Sequence, residues 1–177
     1  MFRAIDSILS DARYDLIVIG SGAAGMAAAL FAAIDGCKVL IVERTEYVGG
    51  TSAISAATTW MPNSHPSKSV NPDDSREKVR KFLDGVVGNH SPAAMREAFL
   101  DSAPEAVATL EANSEVKFRP YATHPDYEQQ YEGATMRGRA LEPVPYDGRG
   151  LGADLDKIRP PIPEFTIFGG MMVDRTD

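Results

Sequence analysis

The sequence predicts an α/β fold that opens with a strand, a helix and a second strand of one parallel sheet. Two short apolar runs, Leu16–Ile19 and Val39–Val42, have the length and composition of strands buried on both faces. Between them, Met26–Ile34 is rich in alanine and leucine, which favours helix. A single crossover helix makes the two strands parallel neighbours with a right-handed connection.

The rest of the chain is predicted to be helical first and irregular afterwards. None of the 12 prolines precedes Pro62, so regular structure should dominate the front. Hydrophobic periodicity and capping pairs predict helices near residues 75–87, 92–101 and 103–112. The capping pairs are Asp74 with Glu77, Ser91 with Pro92, and Ser102 with Glu105. From Val116 onward, recurring prolines predict extended, irregular chain.

Composition and charge exclude several classes of protein. The 177 residues carry a formal net charge of -7, which argues against a protein that holds nucleic acid. The single cysteine, Cys37, excludes an intramolecular disulfide and suits a reducing compartment. No apolar run reaches the roughly 18 to 20 residues of a transmembrane helix, and the N-terminus shows no basic region followed by an apolar core. The expected location is therefore the cytoplasm.

A glycine-rich turn lies where the first strand meets the helix. Gly20, Gly22 and Gly25 form a G-x-G-x-x-G pattern there. The first glycine permits the tight turn, the second leaves room for a pyrophosphate, and the third lets the helix pack closely on the strand. Glu43 ends the second strand, near the spacing of about 20 residues at which an acid binds the ribose hydroxyls. Together these features predict a Rossmann-like dinucleotide site, and the alternative is a purely structural turn.

The residues after Glu43 favour FAD over NAD. A second glycine pair and three hydroxyls follow closely, and such a segment can run back along the diphosphate towards the flavin. An NAD site does not need a segment of this kind at this place. The predicted cofactor-binding residues are Gly20, Gly22, Ala23, Ala24, Gly25, Glu43, Arg44, Gly49, Gly50, Thr51, Ser52 and Ser55.

The sequence resembles the flavoproteins grouped with fumarate reductase, succinate dehydrogenase and the 3-ketosteroid dehydrogenases, and it is nearest the ketosteroid branch. The resemblance rests on Tyr14–Glu43, Gly49–Ser52 and Trp60–Asn63, and more weakly on His124–Tyr127 and Gly138–Pro143. In that branch the second segment reads G-G-T-(T or S)-x-x-S-G-G before an aromatic residue and a proline. Here Ala56 and Ala57 stand in place of the last two glycines, so the loop departs from the family pattern.

The resemblance implies an FAD-dependent oxidoreductase that acts on CH–CH bonds. It transfers a hydride between the flavin and a carbon adjacent to a ketone-activated position, with steroid-like ketones as the first expected substrates. A fumarate reductase-like enzyme acting on dicarboxylates is the alternative. By resemblance Tyr127 is the expected catalytic residue for proton abstraction, with Tyr121 and Tyr131 as rivals. No histidine falls in the glycine and hydroxyl segment, so FAD is expected to bind non-covalently.

No metal site is expected. The three histidines, His65, His90 and His124, lie near prolines or in predicted loops, and surface positions are expected for them. Their spacing does not match that of metal ligands, and one cysteine cannot form a thiolate cluster.

The resemblance also implies that the fold is incomplete without further segments. In this family later segments finish the flavin domain around an inserted substrate domain, so another polypeptide segment or chain is the expected partner. The predicted division is an N-terminal extension (1–13), a βαβ unit (14–43), a flavin-contacting loop (44–63), helices (75–112) and an irregular segment (113–177), with 14–177 forming the N-terminal portion of an FAD-binding domain. A truncated, non-catalytic FAD-binding module and an NAD-dependent dehydrogenase remain as alternative functions.

Overall fold

The computed structural model describes residues 4–8, 11–168 and 171–172 of a chain that forms two compact units. Unit 1 combines residues 1–57 with 147–177, and unit 2 consists of residues 58–146. The main elements are β1 (Leu16–Ile19), α1 (Ala23–Ile34), β2 (Val39–Val42), β3 (Thr59–Trp60), α2 (Arg76–Val87), α3 (Ala93–Asn113), β4 (Phe118–Pro120), β5 (Ala140–Pro143), β6 (Thr166–Ile167) and β7 (Met171–Met172). Short 3-10 helices occupy Ile5–Ser7, Ser52–Ile54, Pro66–Ser69, Gly148–Lys157 and Pro163–Phe165.

Unit 1 contains the predicted strand, helix and strand. β1 and β2 pair in parallel, with Leu16 opposite Val39. α1 lies very close to β1, and Gly25 makes this approach possible. A Cβ added to Gly25 would lie 2.0 Å from the carbonyl oxygen of Gly20 and 3.3 Å from Cγ1 of Val18. The third glycine of the turn therefore has the packing role that the sequence predicts.

The expected burial of β1 on both faces is wrong for the described part of the chain. Val18 is buried, whereas Ile17 is 57% exposed and Ile19 is 88% exposed. Among the described residues, β1 pairs with β2 alone. A parallel strand is buried on both faces only when further elements cover the sheet. Unit 1 therefore presents an apolar surface along β1.

Unit 2 packs two helices beside a small antiparallel sheet of order β3–β5–β4. The indole ring of Trp60, on β3, stacks on the ring of Phe99, on α3, with ring centroids 6.0 Å apart and an interplanar angle of 12°. The apolar core contains Val79, Phe82, Leu100, Val107 and Leu141, all buried. The segment predicted to be irregular thus contributes two strands, β4 and β5, to this unit.

The start of α2 differs from the predicted capping pair. Ser75 is the residue that caps the helix, because its hydroxyl accepts a hydrogen bond from the Lys78 N–H at 3.3 Å. Asp74, the predicted cap, instead directs its carboxylate to the buried guanidinium of Arg139. A distant ion pair therefore overrides the local capping preference.

The predicted break between two helices at Ser102 is also wrong, since α3 runs without interruption and contains Pro104. The predicted cap at Ser91 is not formed either, because the helix starts after Pro92 and has no side-chain cap. A proline inside a helix costs roughly 3 kcal/mol. The buried face of Leu100, Ala103 and Val107 continues through this point, and its packing offsets that cost. Among the described residues, no helix combines the length and hydropathy that a bilayer crossing requires.

Candidate functional site

The glycine-rich turn joins β1 to α1, as predicted. Gly20 has φ of +94°, and Gly22 directly precedes the first helical residue. A Cβ at either position would meet no described atom within 4 Å, so there is open space beside these two glycines. Ala23, Ala24 and Gly25 form the first helical turn, whose N–H groups have no intrahelical partner and carry the positive end of the dipole. This arrangement suits a phosphate.

The loop after β2 folds back over this turn. The Gly49 N–H lies 3.1 Å from both the carbonyl and the hydroxyl oxygen of Ser21. The Ser52 hydroxyl accepts from the Ala23 N–H at 3.1 Å. A Cβ on Gly50 would lie 3.2 Å from the Cα of the second glycine of the turn. The segment predicted to follow the cofactor is therefore in contact with the turn predicted to hold its phosphates.

Glu43 points its carboxylate at the same turn. Its Oε2 accepts from the N–H and the hydroxyl of Ser21 at 3.0 and 2.7 Å, and its Oε1 accepts from the Thr45 N–H at 3.0 Å. The Ser21 hydroxyl, and after it the Thr45 amide, lower the pKa of Glu43 from 4.5 to about 2. The Thr45 hydroxyl also lies 3.3 Å from Oε1, so all of the about four acceptor positions of the carboxylate face a donor, and a ribose hydroxyl would displace the Thr45 hydroxyl. A second hydroxyl would compete with Ser21.

We expect the stability of unit 1 to fall as the pH is lowered from 4.5 towards 2. The pKa of Glu43 drops on folding, so its contribution to stability is complete above pH 4.5 and is lost as the pH falls to about 2. Thermal unfolding followed by circular dichroism across this range should show a smaller fall for Glu43→Gln than for the unsubstituted chain. Glu46→Gln, at an exposed position, is the matched control. Identical pH profiles for the two variants would contradict the assignment.

The other predicted cofactor residues lie on the outer side of the loop. Arg44 and Thr51 are exposed. The Ser55 hydroxyl donates to the Ser52 carbonyl at 3.0 Å and accepts from the Ala57 N–H at 3.1 Å. Ala57 has φ of +51°, a conformation that glycine adopts with less strain. The backbone here has the shape that explains a glycine in the family pattern, although this chain carries alanine.

The three candidate tyrosines belong to unit 2 and differ in exposure. Tyr127 is 89% exposed, whereas Tyr121 is 8% exposed. The ring of Tyr131 packs on Gly85, where an added Cβ would lie 2.5 Å from its Cδ1. Tyr131 is 37% exposed, so Tyr127 is the most exposed of the three candidates. It borders a mainly apolar cavity of about 410 Å³ whose lining includes Trp60, Phe82, Leu83, Val86 and His124.

The histidines do not all lie at the surface as expected. His65 and His90 are exposed, and His65 is 2.7 Å from a carboxylate oxygen of Glu111. His124 is half-buried, with its ring centroid 5.3 Å from that of Tyr121 and 5.8 Å from that of Tyr127. Within the described residues, no three His, Cys, Asp or Glu side chains cluster as metal ligands.

A buried ion network includes Asp126, the residue that directly precedes Tyr127. Arg139 is 1% exposed, and its Nε and Nη2 donate to Asp74 at 2.8 and 2.7 Å. Its Nη1 donates to Asp126 at 2.8 Å, and Asp126 also accepts from the Trp60 indole N–H at 2.7 Å. This network is not predicted from the sequence, because Asp126 and Asp74 lie 13 and 65 residues from Arg139 and form no local pattern with it.

Comparisons with known proteins agree with this geometry. The family described as FAD binding domain matches residues 15–168. A 3-oxosteroid 1-dehydrogenase of Mycolicibacterium smegmatis is 36% identical over 84% of this chain and 26% of its own length. A 4-oxocyclohex-2-ene-1-carboxylate 5-dehydrogenase of Sinomonas cyclohexanicum is 39% identical over 89% of this chain and 26% of its own length.

A solved structure gives the same result. The 3-ketosteroid delta1-dehydrogenase from Sterolibacterium denitrificans, in complex with 1,4-androstadiene-3,17-dione, superposes with a TM-score of 0.78 at 36% identity. The alignment covers 82% of this chain and 26% of that one. The chain thus spans about a quarter of the length of the relatives that it matches.

Proposed function

Because the chain belongs to the FAD binding domain family, we propose that unit 1 holds the ADP half of FAD in the turn from Gly20 to Gly25. One observation carries the proposal: the open end of α1 and the carboxylate of Glu43 meet at Ser21. The first-turn amides other than that of Ala23, which donates to the Ser52 hydroxyl, face the diphosphate, and Glu43 accepts hydrogen bonds from the ribose. The glycine pair at Gly49 and Gly50 lets the following loop approach the rest of the cofactor.

The proposed reaction is the removal of hydrogen from a carbon–carbon bond next to a ketone. Bound FAD supplies a two-electron acceptor for the hydride. Tyr127 is proposed to move a proton on the substrate, because it is exposed beside an apolar cavity. The relatives include a 3-oxosteroid 1-dehydrogenase and a 4-oxocyclohex-2-ene-1-carboxylate 5-dehydrogenase, which favours cyclic ketones over dicarboxylates as the substrate class.

A further polypeptide segment is proposed to cover β1. Ile17 and Ile19 leave an apolar surface on a strand that pairs with β2 alone among the described residues. A second polypeptide that corresponds to the remaining three quarters of a relative should bind this chain when the two are mixed. The two polypeptides should then elute together in size-exclusion chromatography. Failure to co-elute, with a monomeric and stable chain, would contradict this part of the proposal.

A cytoplasmic location completes the proposal. The single cysteine, Cys37, is exposed and free, which fits a reducing compartment. Cell fractionation with an antibody to the chain tests it, and recovery outside the cytosolic fraction would contradict it.

We expect Glu43→Ala to weaken FAD binding on the order of 10- to 100-fold, the range for hydrogen bonds to a charged group. The dissociation constant is measured from the change in flavin fluorescence on titration with the purified chain. Glu46→Ala, exposed three positions later, is the matched control and should bind as the unsubstituted chain does.

Two outcomes would contradict the proposed site. Equal FAD affinities for Glu43→Ala and the unsubstituted chain would contradict the contact between Glu43 and the ribose. A chain that binds a nicotinamide dinucleotide and no FAD would instead support the alternative dehydrogenase. Dye reduction by a 3-ketosteroid, assayed with the completing segment present, tests the reaction itself.

A further inference from the structure

Residues 157–159 return to the loop that carries Glu43. The Val48 N–H donates to the Lys157 carbonyl at 2.8 Å, and the Arg159 N–H donates to the Val48 carbonyl at 2.9 Å. Val48 and Ile158 form a parallel bridge between these two hydrogen bonds. A segment far away in the sequence is therefore fixed beside the predicted ribose-binding acid by backbone pairing.

This pairing brings the guanidinium of Arg159 to Thr45, from which it is 114 residues distant in sequence. Its Nη2 donates to the Thr45 hydroxyl at 3.3 Å. The Thr45 N–H in turn donates to Oε1 of Glu43 at 3.0 Å. Arg159 and Glu43 are thus linked through one residue, and Glu43 in turn accepts from Ser21 of the glycine-rich turn.

The guanidinium lacks an acidic partner in the described part of the chain. No described carboxylate lies within 4.0 Å of it, and no described atom accepts a hydrogen bond from its buried Nε–H. A partly buried cation in this state is costly unless an anion or another acceptor reaches it. By contrast, Arg149, ten residues earlier in the chain, is 90% exposed and paired with Asp147. The two arginines are therefore in very different environments.

The proposed cofactor has the anionic groups and ribose oxygens that such a guanidinium binds. α1 contains no charged residue, so its first turn offers a diphosphate only backbone groups. The chain as a whole carries a net charge of -7, which opposes an anionic ligand unless a cation lies nearby. Arginine suits this role because its planar fork donates several hydrogen bonds to oxygen atoms.

We infer that Arg159 is a further FAD-binding residue, whose guanidinium contacts the ADP half of the cofactor beside Glu43. The inference rests on the proposed function. It makes the 157–159 segment part of the cofactor site.

The test measures dissociation constants for FAD, ADP and adenosine with the 177-residue chain and its variants. Arg159→Gln should bind FAD and ADP on the order of tenfold more weakly, as expected for a lost charged hydrogen bond. Arg149→Gln, at the exposed arginine ten residues earlier, should bind both as the unsubstituted chain does. A loss confined to ADP and FAD assigns the contact to the phosphates, and an equal loss with adenosine assigns it to the nucleoside.

Thermal unfolding of the ligand-free variants separates binding from folding. If Arg159→Gln unfolds at a lower temperature than the unsubstituted chain, Arg159→Lys replaces it in the same comparison. Lysine keeps the positive charge and the aliphatic side chain but lacks the planar guanidinium. Unchanged FAD and ADP affinities in the folded variant would overturn the role of Arg159 and leave the proposed function intact. Absence of FAD and ADP binding by the unsubstituted chain would overturn both.

Discussion

Gly25→Ala is expected to destabilise unit 1 by at least about 3 kcal/mol, the upper part of the range for overpacking. The new Cβ would lie 2.0 Å from the Gly20 carbonyl oxygen and 3.0 Å from its carbonyl carbon. Both are backbone atoms that cannot rotate away, so α1 must move off β1. Urea unfolding followed by circular dichroism measures the loss, and FAD binding should disappear together with the folded unit.

Gly22→Ala is the matched control from the same turn. A Cβ at Gly22 meets no described atom within 4 Å, and the residue has φ of -68°, which alanine adopts freely. The change should therefore cost at most about 1 kcal/mol, as for alanine in place of a good N-cap residue. The added methyl group occupies the space proposed for the diphosphate. The variant should therefore fold but bind FAD more weakly than the unsubstituted chain does. If the two variants unfold at the same urea concentration, the close approach of α1 to β1 is contradicted.

The beginning of unit 1 could be predicted because its determinants are local. β1 and β2 have the predicted bounds, and the helix starts at the glycine pattern because Gly20 supplies the positive φ of the turn and Gly25 permits the close approach to β1. The α/β class, the resemblance to ketosteroid dehydrogenases and FAD as the cofactor are confirmed by the family match and the superposition. The roles of Glu43 and Tyr127 stay predictions, and so does the division into domains.

The failures arise where distant residues decide the outcome. Asp74 has the spacing of a helix cap, but it binds Arg139, which lies 65 residues later. The burial of β1 was inferred from its apolar composition, whereas burial depends on what covers the strand. Arg159 reaches Thr45 through backbone pairing of an irregular segment, and such pairing has no periodic signature in the sequence.

Arg139→Met is expected to destabilise unit 2 by about 3–5 kcal/mol, the cost of removing one partner from a buried ion pair. The side chains of Asp74 and Asp126 are 5% and 2% exposed, so two carboxylates would remain buried without their guanidinium. Methionine fills part of the space but donates no hydrogen bond. The single tryptophan, Trp60, donates to Asp126, so its fluorescence reports urea unfolding of this unit.

Arg149→Met provides the control for the loss of an arginine as such. Arg149 is 90% exposed in its pair with Asp147, and exposed pairs contribute roughly 0–1 kcal/mol. Its unfolding midpoint should stay close to that of the unsubstituted chain. Because Asp126 directly precedes Tyr127, the Arg139 variant should also increase the mobility of the segment that carries the candidate catalytic side chain. Proteolysis at this segment under native conditions measures that mobility, and equal cleavage rates in both variants would argue that the network does not hold Tyr127 in place.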